Sequence, residues 1–183
     1  MKVLVFNRAF FNISETFIYK QITGVPADVD VELLAFNIAN EDAFPLRNKK
    51  YQVDSVANSV DRIFTAIRKN VFRVRYKLGL FAHFAVKKIL KEKKYDLIHA
   101  HFGFNGLLIF PLAKTFRIPL VVTFHGVDAS PQMLKQKEYR RRMRKLLDYA
   151  SAIIIVSPHM RDTLELERHA DKLFVNPCGF DPN

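Results

Sequence analysis

The sequence has little that would staple it, anchor it or bind a dinucleotide. It holds a single cysteine, Cys178, in 183 residues, so no disulfide can form within the chain. No apolar run approaches the roughly 18–20 residues needed to cross a bilayer. At the start, residues 3–6 are too short for the core of a signal peptide, and Asn7-Arg8 interrupts them. These absences read as a cytoplasmic protein in a reducing compartment. The first loop lacks the glycines of a dinucleotide fingerprint, so NAD binding is not supported. There is no internal repeat and no low-complexity tract.

Acidic residues are scarce in two places. Residues 62–94 hold eleven Lys and Arg against one acid, Glu92, and residues 135–145 hold seven against Glu138. The whole chain carries +11, so the remainder is net acidic. Two basic segments on a mildly acidic body suit an anionic partner such as a membrane surface, nucleic acid or a phosphorylated substrate. The same charges also suit solvated helix faces. No recognised nucleic-acid motif is present.

What is there is globular: 49% apolar and 26% charged residues, at a length sufficient for one domain with a real core. KVLVF at Lys2–Phe6 reads as a first strand, followed by a loop over residues 7–13. Ser14 suits a helix N-cap, Glu15 the positive end of the helix, and Gly24 its end. Residues 29–36 read as a second strand, 37–50 as an irregular stretch and 51–53 as a short strand. An apolar stripe over 59–95 reads as two helices divided at Gly79, with Arg62, Lys69, Arg73 and Lys77 off the stripe. Strands follow at 96–101, 119–124, 152–156 and 172–175. Helices are expected over 105–116, around Pro111, over 132–149, and after Ser157-Pro158. This alternation predicts an α/β fold with a doubly wound, mostly parallel, Rossmann-like sheet.

The stretch PLVVTFHGVDAS, residues 119–130, organises the rest. A buried apolar strand ends in a polar tip carrying His125, Gly126 and Asp128. In open α/β sheets, ligands bind just beyond the carboxyl ends of strands. Imidazole can hydrogen-bond a ligand hydroxyl, Gly126 permits close backbone approach, and Asp128 either orients a ligand hydroxyl or caps the next turn. Ser14, Glu15 and Thr16 either cap their helix or touch ligand, and Arg8 can meet a phosphate. His99 and His101 share one strand face, a spacing found in zinc sites, but no further ligand set is evident and no metal is expected. His83, His159 and His169 receive no role.

Three stretches resemble the amino-terminal half of the family 4 glycosyltransferases with the two-domain GT-B fold. They are SETFI (14–18), the pair DLIHAHFG (96–103) and PLVVTFHGVD (119–128), and VSPHMRDTL (156–164) followed by KLFVNPCGFDPN. The likeness points to the group assembling capsular, exopolysaccharide and colanic-acid-type polymers. It implies one GT-B lobe: residues 1–175 as an acceptor-binding domain and 176–183 as the start of an interdomain linker. The expected activity is retaining transfer from a nucleotide diphosphate-sugar to a lipid-linked saccharide, without a cofactor, at the anionic inner face of the membrane. His125 is the implied catalytic residue. Ser14, Glu15, Thr16, Arg8, Gly126 and Asp128 are the implied substrate contacts, and Arg62, Lys69, Arg73 and Lys77 the implied lipid surface. The family's carboxy-terminal domain carries two glutamates eight positions apart, and no glutamate here has such a partner. The expectation is therefore an incomplete enzyme that binds nucleotide sugar weakly without a second domain or subunit. The alternative is a non-catalytic module that grips an anionic partner through its basic helices.

Overall fold

The computed structural model describes residues 1–54, 62–63, 66–67 and 76–177. Seven strands form one sheet: β1 (Lys2–Phe6), β3 (Asp30–Ala35), β5 (Lys50–Gln52), β6 (Leu97–His101), β7 (Leu120–Phe124), β8 (Ala152–Ile155) and β9 (Leu173–Val175). Their order is β5-β3-β1-β6-β7-β8-β9, and every neighbouring pair is parallel. Two very short strands, β2 (Ala9–Phe10) and β4 (Asn37–Ile38), pair separately beside it. The helices are α1 (Thr16–Thr23), α2 (Leu80–Lys93), α3 (Gly103–Phe116), α4 (Pro131–Leu134), α5 (Lys137–Tyr149) and α6 (Met160–Thr163).

Parallel strands are covered on both faces, so they read as apolar runs. Leu4, Phe6, Ile98, Ala100, Val122 and Phe124 turn to one face and join a core with Ala82, Val86 and Leu90 of α2, the apolar side of α3, and Tyr139, Met143 and Leu146 of α5. Val3, Val5, Val31 and Leu33 turn to the other and meet Ile18 and Ile22 of α1. Each such Leu or Ile withdrawn from water contributes about 1.5–3 kcal/mol. Between α1 and the second face lies an apolar cavity of about 410 Å³, bounded by Val3, Val5, Ile22, Val25, His99 and His101. The architecture is the expected doubly wound α/β fold. The chain runs outward through β3 and β5, then returns to β6 beside β1. The direction of winding therefore reverses between β1 and β6, which is where such sheets open a crevice.

Several local expectations differ from the structure. Ser14 caps nothing: it lies exposed in a 3-10 turn over Ile13–Glu15, and α1 starts two residues later. The helix read over 132–149 is two helices. Gln136 is extended between them, and its side-chain carbonyl accepts the Tyr76 hydroxyl at 2.8 Å. Ser157 and Pro158 precede α6 without a side-chain cap. α3 begins at Gly103 and carries Pro111 inside it. Gly79 does precede α2 as its N-cap. Lys69 and Arg73 lie outside the described residues, as do residues 178–183.

Glu32 on β3 is a buried carboxylate at the edge of the main core. It accepts from the Tyr51 hydroxyl at 2.9 Å, from the Tyr95 hydroxyl, and from Lys2 Nζ at 2.9 Å. Burial pushes its acid strength the other way, but the hydrogen bonds from Tyr95, Lys2 and Tyr51 outweigh it and hold the carboxyl below its ordinary value. A depressed folded-state carboxyl adds stability that is complete above the unfolded value near 4.3 and is lost as pH falls through the folded one. Glu32→Gln is therefore expected to destabilise at pH 7. The gap from the parent should narrow below about pH 4.3, as read by urea melts across that range.

Candidate functional site

Side chains alternate along a strand, so His99 and His101 of β6 project to one face. On β7, Val121 pairs with His99 and Thr123 with His101. His125, two residues past Thr123, continues that face just beyond the strand. The result is a column of three imidazoles. His99 Nε2 lies 2.7 Å from Thr123 Oγ1, and His101 Nδ1 lies 3.0 Å from His125 Nε2. Ring centroids are 4.5 Å apart for His99–His101 and 5.3 Å for His101–His125. Phe17 of α1 and Phe102 flank His125, with centroids at 4.6 and 4.7 Å. The SETFI turn thus meets the His125 tip through Phe17.

Asp128 is fully buried. One carboxylate oxygen accepts the Gly103 N–H at 2.6 Å, and the other accepts those of His125 and Gly126 at 3.1 and 3.0 Å. Of its two readings, Asp128 has the geometry of the turn cap. Its oxygens point inward, and its negative charge sits at the positive end of α3. The Tyr139 hydroxyl donates to its main-chain carbonyl at 2.7 Å. Gly103 must be glycine because a Cβ there would lie 2.4 Å from Phe124 and 2.7 Å from Met143. Gly126 is needed for a different reason. Its φ is +107°, while a Cβ would meet nothing within 4 Å, so the backbone turns with open space beside it. Phe102 holds a φ of +68° between β6 and α3. Such a conformation costs on the order of 1–3 kcal/mol and collects at functional sites.

At the switch point, Asn7 follows β1 and Asn105 sits in the first turn of α3. Asn105 Nδ2 donates to Asn7 Oδ1 at 2.6 Å and to the His101 carbonyl at 2.8 Å. Asn7 Nδ2 donates to the Ala9 carbonyl at 2.6 Å and to Glu15 at 3.3 Å. Glu15 therefore braces the first loop. Ser14 and Thr16 are exposed on either side of it, and Arg8 is exposed while its carbonyl accepts the Phe36 and Asn37 N–H groups. Asn105 Oδ1 is buried without a hydrogen-bond partner among the described residues, a position suited to an ordered water. Sequence reasoning overlooked Asn7, Asn105, Phe17 and Phe102. The one available signal was Asn105, a lone polar residue inside GFNGLLIF.

His99, His101 and His125 are neutral at pH 7. Burial lowers His99 to about 4. Burial, then repulsion from His99, brings His125 to about 4. His101 goes well below the usual range through burial and its two histidine neighbours. Among the described residues, no group of three or more His, Cys, Asp or Glu side chains is arranged to hold a metal. No described helix is long and apolar enough to cross a membrane. The site can therefore offer neutral ring nitrogens, backbone N–H groups and aromatic faces to a polar ligand.

A family model described as Glycosyltransferase Family 4 matches residues 15–183. No curated protein sequence matches. Among solved structures, the chain is similar to Anabaena Alr3699/HepE in complex with UDP-glucose, at 16% identity and a TM-score of 0.69, covering 99% of this chain and 44% of that one. It is also similar to sucrose-phosphate synthase (tll1590) from Thermosynechococcus elongatus, at 16% identity and a TM-score of 0.60, covering 99% and 49%. A third is the lipopolysaccharide outer core galactosyltransferase WaaB in its apo form, at 18% identity and a TM-score of 0.61, covering 96% and 45%. The chain thus spans less than half the length of these three, and the likeness at such identities is one of fold.

Two outcomes are expected. Asp128→Ala strands three backbone donors, at about 1–3 kcal/mol for each left unmet. The denaturation midpoint should fall accordingly, and an unchanged midpoint would contradict the brace. The histidines give the second. Unfolded imidazoles protonate near 6.5 while the folded ones stay neutral to about 4, so the unfolded chain binds more protons in between. Stability should be complete above about pH 6.5 and decline as pH falls towards 4. The slope is about 1.4 kcal/mol per pH unit for each histidine. NMR titration midpoints near 6.5 for His99 and His125 would contradict it.

Proposed function

The chain belongs to glycosyltransferase family 4, and from that premise we propose that it is the acceptor-side lobe of a retaining enzyme. That enzyme moves a sugar from a nucleotide diphosphate to a lipid-linked saccharide in cell-surface polysaccharide assembly. The observation that carries the reading is the position of His125. It stands beyond β7, next to the point where the sheet reverses, with the first turn of α1 against its ring.

In this reading His125 hydrogen-bonds an oxygen of the donor sugar. As the bond to the leaving nucleotide lengthens, positive charge develops around the anomeric carbon. A ring that stays neutral at pH 7 adds no opposing charge there. The Gly126 turn leaves room for sugar or acceptor, and Ser14, Thr16 and Arg8 form the exposed rim that meets the acceptor. Asp128 and Glu15 act through others, fixing the His125 turn and the first loop. A nucleotide sugar must be shielded from water while it reacts. The proposed enzyme therefore includes a second, donor-binding lobe that closes over this one, on the same chain or as a separate subunit.

Partner chemistry is proposed from the surface. Arg62 and Lys77 are exposed, as are Lys87, Lys88 and Lys91 on α2. Phe81 and Phe84 are also exposed on that helix, at 42% and 58%. Aromatic side chains beside lysines suit the headgroup region of an anionic leaflet, where a lipid-linked acceptor resides.

With the two-lobed enzyme and UDP-glucose as first donor, His125→Ala is expected to lower kcat by about 10²–10³-fold, the scale of a lost transition-state hydrogen bond. Residues 1–183 alone should transfer no sugar. Robust transfer by those residues alone, or full activity after His125→Ala, would overturn the reading. Replacing Lys87, Lys88 and Lys91 by Gln should weaken binding to anionic vesicles about 100-fold, at about 1 kcal/mol per lysine near the surface. Equal binding to neutral and anionic vesicles would remove the lipid partner.

A further inference from the structure

The SETFI turn sends its side chains alternately outward and inward. Ser14 and Thr16 are exposed, Glu15 and Phe17 are half-buried, and Ile18 is buried. Ser14 and Thr16 stand on the rim, Glu15 braces the first loop, and Ile18 joins the core beneath α1. That leaves the inward-facing Phe17. Its ring centroid lies 4.6 Å from that of His125, with the planes at 34°. Phe102 stands 4.7 Å from the same histidine at 54°, and His101 5.3 Å away at 28°.

These rings come from different parts of the chain. His101 closes β6 and Phe102 follows it directly, whereas Phe17 arrives on α1. A series of side-chain bonds ties the two parts together. Asn7 Nδ2 donates to Glu15 at 3.3 Å, and Asn105 Nδ2 donates both to Asn7 Oδ1 and to the His101 carbonyl. The turn that leads into Phe17 is thereby fastened to the strand behind His125. The Asp128 bond holds the main chain of His125, but its side-chain torsions are left to the His101 contact and to whatever packs on the ring.

We propose that Phe17 is a positioning residue, which clamps the His125 ring from the α1 side and keeps water off that flank. Taken with the transferase reading, on which this part rests, the clamp makes His125 meet the sugar in one orientation, and Phe17 acts only through it. The charge of the ring depends on the same wall. On the elements packed against His125, the ionisable groups near it are His101 and, one ring further on, His99, both of β6. To these are added Asp128, below its N–H, and Glu15, whose carboxylate Asn7 engages. Burial first, and then repulsion from His99, brings His125 to about 4. Phe17 supplies part of that burial, so opening its flank to water returns the ring towards the ordinary 6.5.

The clamp is tested by NMR on the ¹⁵N-labelled chain, without any substrate. Nuclear Overhauser contacts between the Phe17 and His125 rings are expected in the parent, and their absence would overturn the proposal whatever the variants do. Phe17→Ala is expected to raise the His125 titration midpoint by at least one pH unit, and Phe17→Tyr, which keeps the ring, to hold it near 4. Leu33→Ala removes a fully buried side chain from the same core on β3, three places from β7 in the sheet, and is expected to leave the midpoint in place. An unmoved midpoint in folded Phe17→Ala would overturn the proposal, and so would an equal rise in Leu33→Ala. Should Phe17→Ala not fold, the parent contacts and the Phe17→Tyr midpoint decide. In the two-lobed enzyme, Phe17→Ala should lower kcat about 10-fold with little change in KM, and Phe17→Tyr should restore most of it. The two readings fail separately. A raised midpoint in an enzyme that transfers no sugar would remove the function and leave the clamp standing, while an unmoved midpoint in an active enzyme would do the reverse.

Discussion

The carboxylate of Asp128 accepts hydrogen bonds from backbone N–H groups that belong to two separate parts of the chain. Two of them define the turn that carries His125 and Gly126, and the third opens α3. A buried charge is tolerated only when such donors surround it. That requirement dictates much of what stands nearby. It pulls the start of α3 against β7, close enough that residue 103 can hold no side chain. It bends the chain at Gly126 into a left-handed conformation. Tyr139, completely buried on α5, ties the third element to the same residue through the Asp128 carbonyl. His125 is therefore held by contacts on its backbone as well as on its ring.

The sheet was legible because parallel buried strands are written as short apolar runs. KVLVF, LIHAH, LVVTF and AIII were each located to within a residue or two. The two-residue strands Ala9–Phe10 and Asn37–Ile38 are too short to leave a period. The split before α5 turns on a contact between Gln136 and Tyr76, sixty residues apart. Nothing in the local sequence records it. At the site, the sequence placed His125 and Asp128 on one tip but could not say which side chain turned inward. The answer depended on Gly103, which lies on a different strand-to-helix junction. Likewise the pair His99 and His101 was visible as one strand face. Its continuation to Thr123 and His125 needed the register between β6 and β7.

The basic segments divide on inspection. Arg142 lies in the richer of the two runs by density, yet its side chain pairs with Glu138 at 3.0 Å and donates to the Tyr76 carbonyl at 2.7 Å. Lys172, outside both runs, donates to the carbonyls of Asp148 and Ala150. Such cations serve the fold. The lysines of α2 differ, because they stand on the exposed side of a helix whose opposite side is Ala82, Val86 and Leu90. Net charge alone thus overstates the surface on offer to an anionic partner, and the location of each cation corrects it.

The Asn7–Asn105 bond joins residues 98 apart, and the Lys2 N–H reaches the Asp96 carboxylate across 94. β1 lies inside the sheet and is completed on one flank only when β6 arrives. Closing so long a loop adds little to its equilibrium cost, since that cost rises only with the logarithm of length. Its effect on time is larger, because folding slows as contacts become more distant along the chain. The crevice between β1 and β6 therefore cannot begin to assemble until the chain has grown through β6. Until it forms, the apolar edge of β1 remains open to the wrong partner strand.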